Sequence, residues 1–380
     1  MAAGAPGDAL ARADPDALRD ALVRCAKAGA WSARAPQLAP LPDWDALVAG
    51  ARAQHALAIV GRALRALTDC PAVLREELER IDTGCWATLT VTSATIGPML
   101  ARVAAAGIRV VVYKGAAQAA RHYDEPWGRA MSDVDVLVRP EDEARLHALL
   151  SGGGFAILAS PPGRTWTARA SHERTFIAPA AGARMLDVHT APAPPARYRF
   201  AVQEMVARAT AGTLFDAPVH FMAPEDELVV MAANQAYDHF RFGLLRFLDA
   251  WLIIERSTID WDRLVSVAQG AGAAAAAWLT LANARRIAGA SVPDAVLARL
   301  RPPAARRIWL EALLDTSGSG EPRSALPRRL EQLLLVYPTV DRARDFVRFA
   351  AHHGGLRALD AAGAYWQRLR PGGGAKASTR

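Results

Sequence analysis

The apolar pattern of this chain changes period at Gly107, and that change limits the folds open to it. From Asp16 to about Ala105 the apolar residues recur at helical spacing. They run through DALRDALVRCAKA, then DWDALVAGARAQHALAIVGRALRAL with Asp43 as its N-cap, then a long segment opened by Pro71 in a helix's first turn. After Gly107 the chain reads in twos. IRVVVY (108–113) is a β-branched strand running into Lys114-Gly115 and the short helix GAAQAARHY, and DVDVLV (133–138) is a second strand. PEDEARLHALL (140–150) is a helix begun by proline, and SGGGFAIL turns into a third strand. HERTFIA (172–178) and ARMLDVH (183–189), joined by PAAG, read as a hairpin. Beyond PAPP (192–195) the stretch to about His220 has no clear period. From Pro224 the helical pattern returns in PEDELVVMAANQAYDHF, GLLRFLDAWLIIER and WDRLVSVAQGAGAAAAAWLTLANARRIAG, and continues to about Arg368.

The expected class is therefore α+β, a small mixed β-sheet core flanked by N-terminal and C-terminal helical regions. The expected organisation is a disordered N-terminus (1–14), an N-terminal helical region (15–106), an α/β core (107–222), a C-terminal helical domain (223–370) and a low-complexity tail (371–380). No spacing marks a repeat array. At 380 residues, 52% hydrophobic and 22% charged, the chain can bury a full core. Its net charge of +7 favours polyanionic ligands such as nucleotides. Cys25, Cys70 and Cys85 stand far apart with no C-x-x-C pair, which suggests neither a disulfide framework nor a zinc site. No secretory leader pattern and no run of about 18 uncharged apolar residues is found, so a cytoplasmic location without a membrane span is expected.

Two aspartates inside an apolar strand need a physical reason. Side chains alternate faces along a strand, so Asp133 and Asp135 share one, with Cα atoms roughly 7 Å apart, while Val134 and Val136 take the other. Two carboxylates on one buried face repel, and one is driven toward protonation unless a cation sits between them. Magnesium suits them, because it is held by one or two carboxylates together with substrate phosphates; manganese is the alternative. Asp187 recurs in the same alternation within MLDVH, and His189 shares its face. If that strand lies beside 133–138, three carboxylates can hold two ions about 3.5–4 Å apart, as in-line displacement at phosphorus uses. A D-x-D pair can also be a solvated strand end. The upstream element favours the catalytic reading, since a buried strand entering Lys-Gly and a helix offers backbone N–H groups to a phosphate.

These residues together, strand–KG–helix, then R-x-x-S-D-V-D, then a hairpin carrying L-D-V-H, resemble the DNA polymerase β-type nucleotidyltransferase superfamily. Within it they are most similar to the group called uncharacterised nucleotidyltransferases, over roughly residues 40–275, including the helical stretch after the core. The resemblance implies that Gly115 and the amides after it cradle a triphosphate, and that Asp133, Asp135 and Asp187 are the catalytic and metal-binding carboxylates. It further implies that Asp187 can act as base toward an incoming hydroxyl and that Ser132 and Arg129 flank the phosphates. Lys114 and His189 join the nucleotide-binding set. Lys114 is one of three lysines in a chain that otherwise uses arginine, which points to a need for a compact ammonium. The chain departs from the broad superfamily in having Gly115-Ala116 where Gly-Gly or Gly-Ser is usual.

The activity implied is magnesium-dependent transfer of a nucleoside monophosphate from an NTP, ATP being the expected one, to an unidentified small molecule, peptide or protein with release of pyrophosphate. Nucleic acid is a less favoured acceptor. The alternative is a catalytically inactive nucleotide- or RNA-binding module, with the helical flanks as a docking surface. Arg174 on the hairpin, and Asp238, His239, Arg241 and Arg246 near a helix end, are further candidates for the cleft. His352 and His353 are not, because adjacent helical residues diverge by about 100°. Trp251 and Trp261 are expected in the core.

Overall fold

The computed structural model describes residues 14–31, 43–159, 172–179, 184–237, 243–308, 310, 339–352 and 355. The predicted terminal segments 1–13 and 371–380, and the candidates Asp238, His239, Arg241 and His353, lie outside the described residues. The N-terminal helices are α1 (Pro15–Ala30), α2 (Trp44–Ala53), α3 (Leu57–Arg65) and α4 (Ala72–Ala105). The core runs β1 (Val110–Tyr113), α5 (Lys114–His122), β2 (Asp133–Val138), α6 (Glu143–Gly152), β3 (Ala156–Ile157), β4 (Glu173–Ile177), β5 (Met185–His189), α7 (Val202–Arg208), β6 (Thr210–Leu214) and β7 (Ala217–Phe221). Helices α8 (Pro224–Tyr237), α9 (Gly243–Arg256), α10 (Trp261–Ala271), α11 (Ala274–Ala288) and α12 (Asp294–Leu300) follow. The class is α+β, and among the described residues no helix is long and apolar enough to cross a membrane.

Three expectations need correction. The second predicted helix is two, α2 and α3, because the chain turns at Gln54 and His55, where His55 takes a φ of 53° that no helix continues. The predicted helix over 261–289 is likewise two, ended at Gly272, whose φ of 73° makes it a left-handed C-cap. The patternless stretch to His220 holds α7 and the hairpin β6–β7. Its two-residue turn puts Phe215 and Asp216 at φ 52° and 60°, a primed turn without the usual Asn-Gly signal. Gly97 of α4 admits this turn: a Cβ there would lie 2.6 Å from the Phe215 carbonyl oxygen.

The sheet order is β3-β4-β5-β2-β1-β7-β6, with β2 parallel to β5, β1 parallel to β7 and the other pairs antiparallel. Val134, Val136, Val138, Leu186 and Val188 face α4 and α6, packing on Ile96, Leu100, Leu146 and Leu150. The opposite face carries Val111, Tyr113 and Leu137 against α7 and α8 at one end and the polar residues of β2 and β5 at the other. The N-terminal helices α1 to α3 and the helices from α8 onward share one apolar core, with Trp251 fully buried and Trp261 packed against it. Asp249, on α9 in this body, reaches the loop before β2. Its carboxylate accepts from Arg129 Nε at 3.0 and 3.2 Å, from Arg129 Nη2 at 3.0 Å and from the Tyr123 hydroxyl at 2.7 Å.

Asp249→Ala would leave the Arg129 guanidinium buried without its counter-charge, which is expected to cost about 3–5 kcal/mol. Urea denaturation of the variant beside wild type measures it. A loss of only about 1 kcal/mol, the scale of an exposed pair, would mean that the ion pair does not hold this loop.

Candidate active site

Strand pairing sets the geometry. In the parallel β2–β5 ladder Asp135 lies opposite Asp187, and in the β4–β5 ladder Thr175 lies opposite Asp187 and Glu173 opposite His189. Residues in register share a face, so Asp133, Asp135, Asp187, His189, Thr175 and Glu173 all rise from one side of the sheet. One ligand atom each from Asp135, Asp187 and His189 lies within 4.8 Å of the others. Asp135 and Asp187 are 4% and 8% exposed; Asp133, at the strand's mouth, is half-buried.

The three carboxylates are not equally compensated. Burial alone raises the Asp135 pKa. The Lys114 ammonium 2.5 Å from its Oδ1 and the His189 Nε2 2.8 Å from the same oxygen outweigh that and hold it below the ordinary value. Burial lifts the Asp133 carboxyl above its ordinary value, and the charge of Asp135 adds to this against the opposing pull of Lys114. Asp187 is pushed up to about 6, first by burial, with the charges of Glu173, Asp135 and Asp133 adding to it against a hydrogen bond from Thr175. Asp187 Oδ1 is buried with no hydrogen-bond partner among the described residues. The uncompensated charge at Asp133 and Asp187, and this orphaned oxygen, fit a hard divalent cation held by oxygen ligands.

Facing the acids is the start of α5. Lys114 takes a φ of 57°, a conformation costing a non-glycine residue on the order of 1 kcal/mol. Gly115 lines the cleft, and a Cβ there would meet Arg129 and Met131 at an ordinary 3.8 Å, so protein packing alone does not require glycine. Ala116, where the broad superfamily has Gly or Ser, is 1% exposed and turns its methyl into the core behind the sheet rather than toward the cleft. The cavity between these elements has a volume of about 610 Å³.

Lys114, Gly115, Arg129, Ser132, Asp133, Asp135 and His189 all line this cavity; Asp187 does not, and lies buried behind the lining beside Asp135. Arg129 is there with its Nε and Nη2 committed to Asp249 and its Nη1 donating to the Ala130 carbonyl at 2.7 Å. Ser132 is exposed at the rim and hydrogen-bonds Asp133. Arg246 of α9 also lines the cavity. Arg174 does not; it alternates to the other face, where its charge acts on His147 of α6. The polar lining residues not picked out from the sequence are His55, His172, Glu173, Asn234 and Tyr237. The antiparallel register of the hairpin was the available signal for Glu173, which it sets opposite His189.

Strand carboxylates facing a helix N-terminus across an open cleft, on a mixed sheet flanked by helices, define a protein of the nucleotidyltransferase class. The family model described as "Uncharacterised nucleotidyltransferase" matches residues 40–289, and the chain belongs to that family. No curated protein matches it.

Asp187 supplies a test of the charge imbalance. Its carboxyl binds a proton more tightly folded, at about 6, than at the ordinary 3.8, so its contribution to stability is present below about pH 4 and lost as pH rises through about 6. With chelator present, Asp187→Asn is expected to be more stable than wild type at pH 7 by on the order of 2 kcal/mol, the difference fading as pH falls from 6 to 4. Thermal melts across this range, with and without magnesium, check it. A variant no more stable than wild type at pH 7 would contradict the assignment.

Proposed function

We propose that the chain transfers a nucleoside monophosphate from an NTP, ATP in the first instance, to a hydroxyl or phosphate of an acceptor, in a reaction that requires magnesium or manganese. The observation that carries this reading is the pairing of Asp135 with Asp187 in register on adjacent strands, opposite the N-terminus of α5. Asp133, Asp135 and Asp187 would hold the cation. When bound, the divalent ion offsets the charge of carboxylates and triphosphate and lowers the barrier to displacement at phosphorus.

The chain's own groups supply positioning and proton transfer. The Gly115 and Ala116 amides at the start of α5 bind phosphate oxygens. The Lys114 ammonium, paired with Asp135 when no nucleotide is present, stands within reach of the same oxygens. His189 fixes the orientation of Asp135, and Thr175 that of Asp187. Arg129, held by Asp249, lines the phosphate side of the cleft. Asp187 takes the proton of the acceptor hydroxyl as its oxygen forms a bond to the α-phosphorus and the bond to pyrophosphate breaks.

The acceptor is proposed to be a small molecule, peptide or protein, and the compartment the cytoplasm. Incubation of cell extract with the protein and each NTP, followed by mass spectrometry for an added nucleoside monophosphate, identifies acceptor and nucleotide together. With that acceptor, Asp187→Asn is expected to lower turnover by about 10²–10⁴-fold. Asp133→Ala is expected to remove magnesium-dependent incorporation of labelled nucleotide. Equal incorporation by wild type and Asp133→Ala would end the proposal, and calorimetric binding of ATP without transfer to any acceptor would favour a nucleotide-binding module.

A further inference from the structure

His189 uses one ring nitrogen toward Asp135; its other nitrogen faces the β4 side of the same cavity. Nε2 lies 2.8 Å from Asp135 Oδ1 and must carry the hydrogen of that bond, because a carboxylate oxygen only accepts. The other ring nitrogen is Nδ1. That nitrogen is buried, has no hydrogen-bond partner among the described residues, and faces Glu173 Oε2 at 3.7 Å. His172 completes the surroundings, its ring centroid 6.1 Å from that of His189. One ligand atom each from His172, Glu173 and His189 lies within 4.8 Å of the other two.

We infer that His172, Glu173 and His189 form a second cation site, chemically distinct from the carboxylate cluster, that takes a borderline transition-metal ion such as Zn²⁺. Two imidazole nitrogens and one carboxylate are a zinc ligand set with an open fourth position, whereas magnesium selects oxygen. Ligands about 2.0–2.1 Å from a tetrahedral ion stand roughly 3.4 Å apart, so the 3.7 Å edge is already close, with the His172 ligand atom within 4.8 Å of both. The Asp135–His189 hydrogen bond is the carboxylate–histidine pairing that fixes the tautomer and ring orientation of a metal-binding imidazole. Tyr113 packs edge-on against the same ring at 5.4 Å, steadying it from the sheet side. His172 and Glu173 line the open cavity, which gives the ion a path from solvent.

The test uses the full chain, with no nucleotide, so its outcome is separate from that of nucleotidyl transfer. Protein stripped with a chelator is dialysed against micromolar Zn²⁺ in millimolar Mg²⁺, which occupies the oxygen site, and bound zinc is counted by mass spectrometry. One zinc ion per chain is expected, with X-ray absorption showing two imidazoles in its shell. Loss of one outer-shell partner already weakens such sites by about 10–100-fold, so His172→Ala and Glu173→Gln, each removing a ligand, are expected to weaken binding at least that much. Asp187→Asn is expected to retain the zinc. Circular dichroism confirms that each variant is folded, and the two ligand variants serve as independent checks. Absence of stoichiometric zinc, retention by both ligand variants, or loss in Asp187→Asn but not in His172→Ala would each overturn the site.

Discussion

The site depends on the register between β2 and β5. One face of these strands is aliphatic, and Val134, Val136, Leu186 and Val188 are each 1% exposed or less. Burial of a Val or Leu side chain stabilises by about 1.5–3 kcal/mol, so the four together outweigh the repulsion between carboxylates on the other face. A slip by one residue would turn the acids into the layer of α4 and α6 and the aliphatic side chains into the cleft. The apolar core thus places Asp135 beside Asp187, and the electrostatic cost is accepted at the one place where a ligand can relieve it.

The compensation that the protein supplies itself is deliberately partial in its effect. Asp135 accepts from Lys114 and His189 on a single oxygen, and it is the one member of the trio held below its ordinary pKa. Asp133 and Asp187 stay above theirs. The folded chain therefore has an anchored carboxylate flanked by two that gain from a cation. The loop leading to Asp133 is fixed from outside the sheet: Arg129, four residues earlier, is clamped by Asp249 of α9, within the core that α8 onward shares with the N-terminal helices. The helical body thereby reaches the loop before β2 through a buried ion pair.

What could be read from the sequence was what local periodicity encodes. The alternation of DVDVLV and MLDVH shows which residues share a face, and the hairpin is signalled by its Gly-containing loop. Other features depend on partners distant along the chain. The Asp249 clamp on Arg129 spans 120 residues. The hairpin β6–β7 escaped because its turn uses Phe215 and Asp216 where glycine or asparagine is the usual signal. Arg174 was a candidate for its charge, but alternation gives the cleft to Glu173 and Thr175 and sends Arg174 to the other side. Pairing the hairpin in register, with His189 as reference, would have exposed that error from sequence alone.

Lys114 shows how local cost and site chemistry meet. Gly115 could take a left-handed conformation freely, yet the positive φ falls on the lysine before it. That conformation brings the ammonium to Asp135 Oδ1 and lets α5 begin at once, with Gly115 open to the cleft. An arginine here would spread its charge over a planar fork that could not share one carboxylate oxygen with the His189 nitrogen in the same way. A point charge can. In a chain that uses arginine almost everywhere else, the lysine at this position sets a compact charge against a buried carboxylate at the cost of a positive φ.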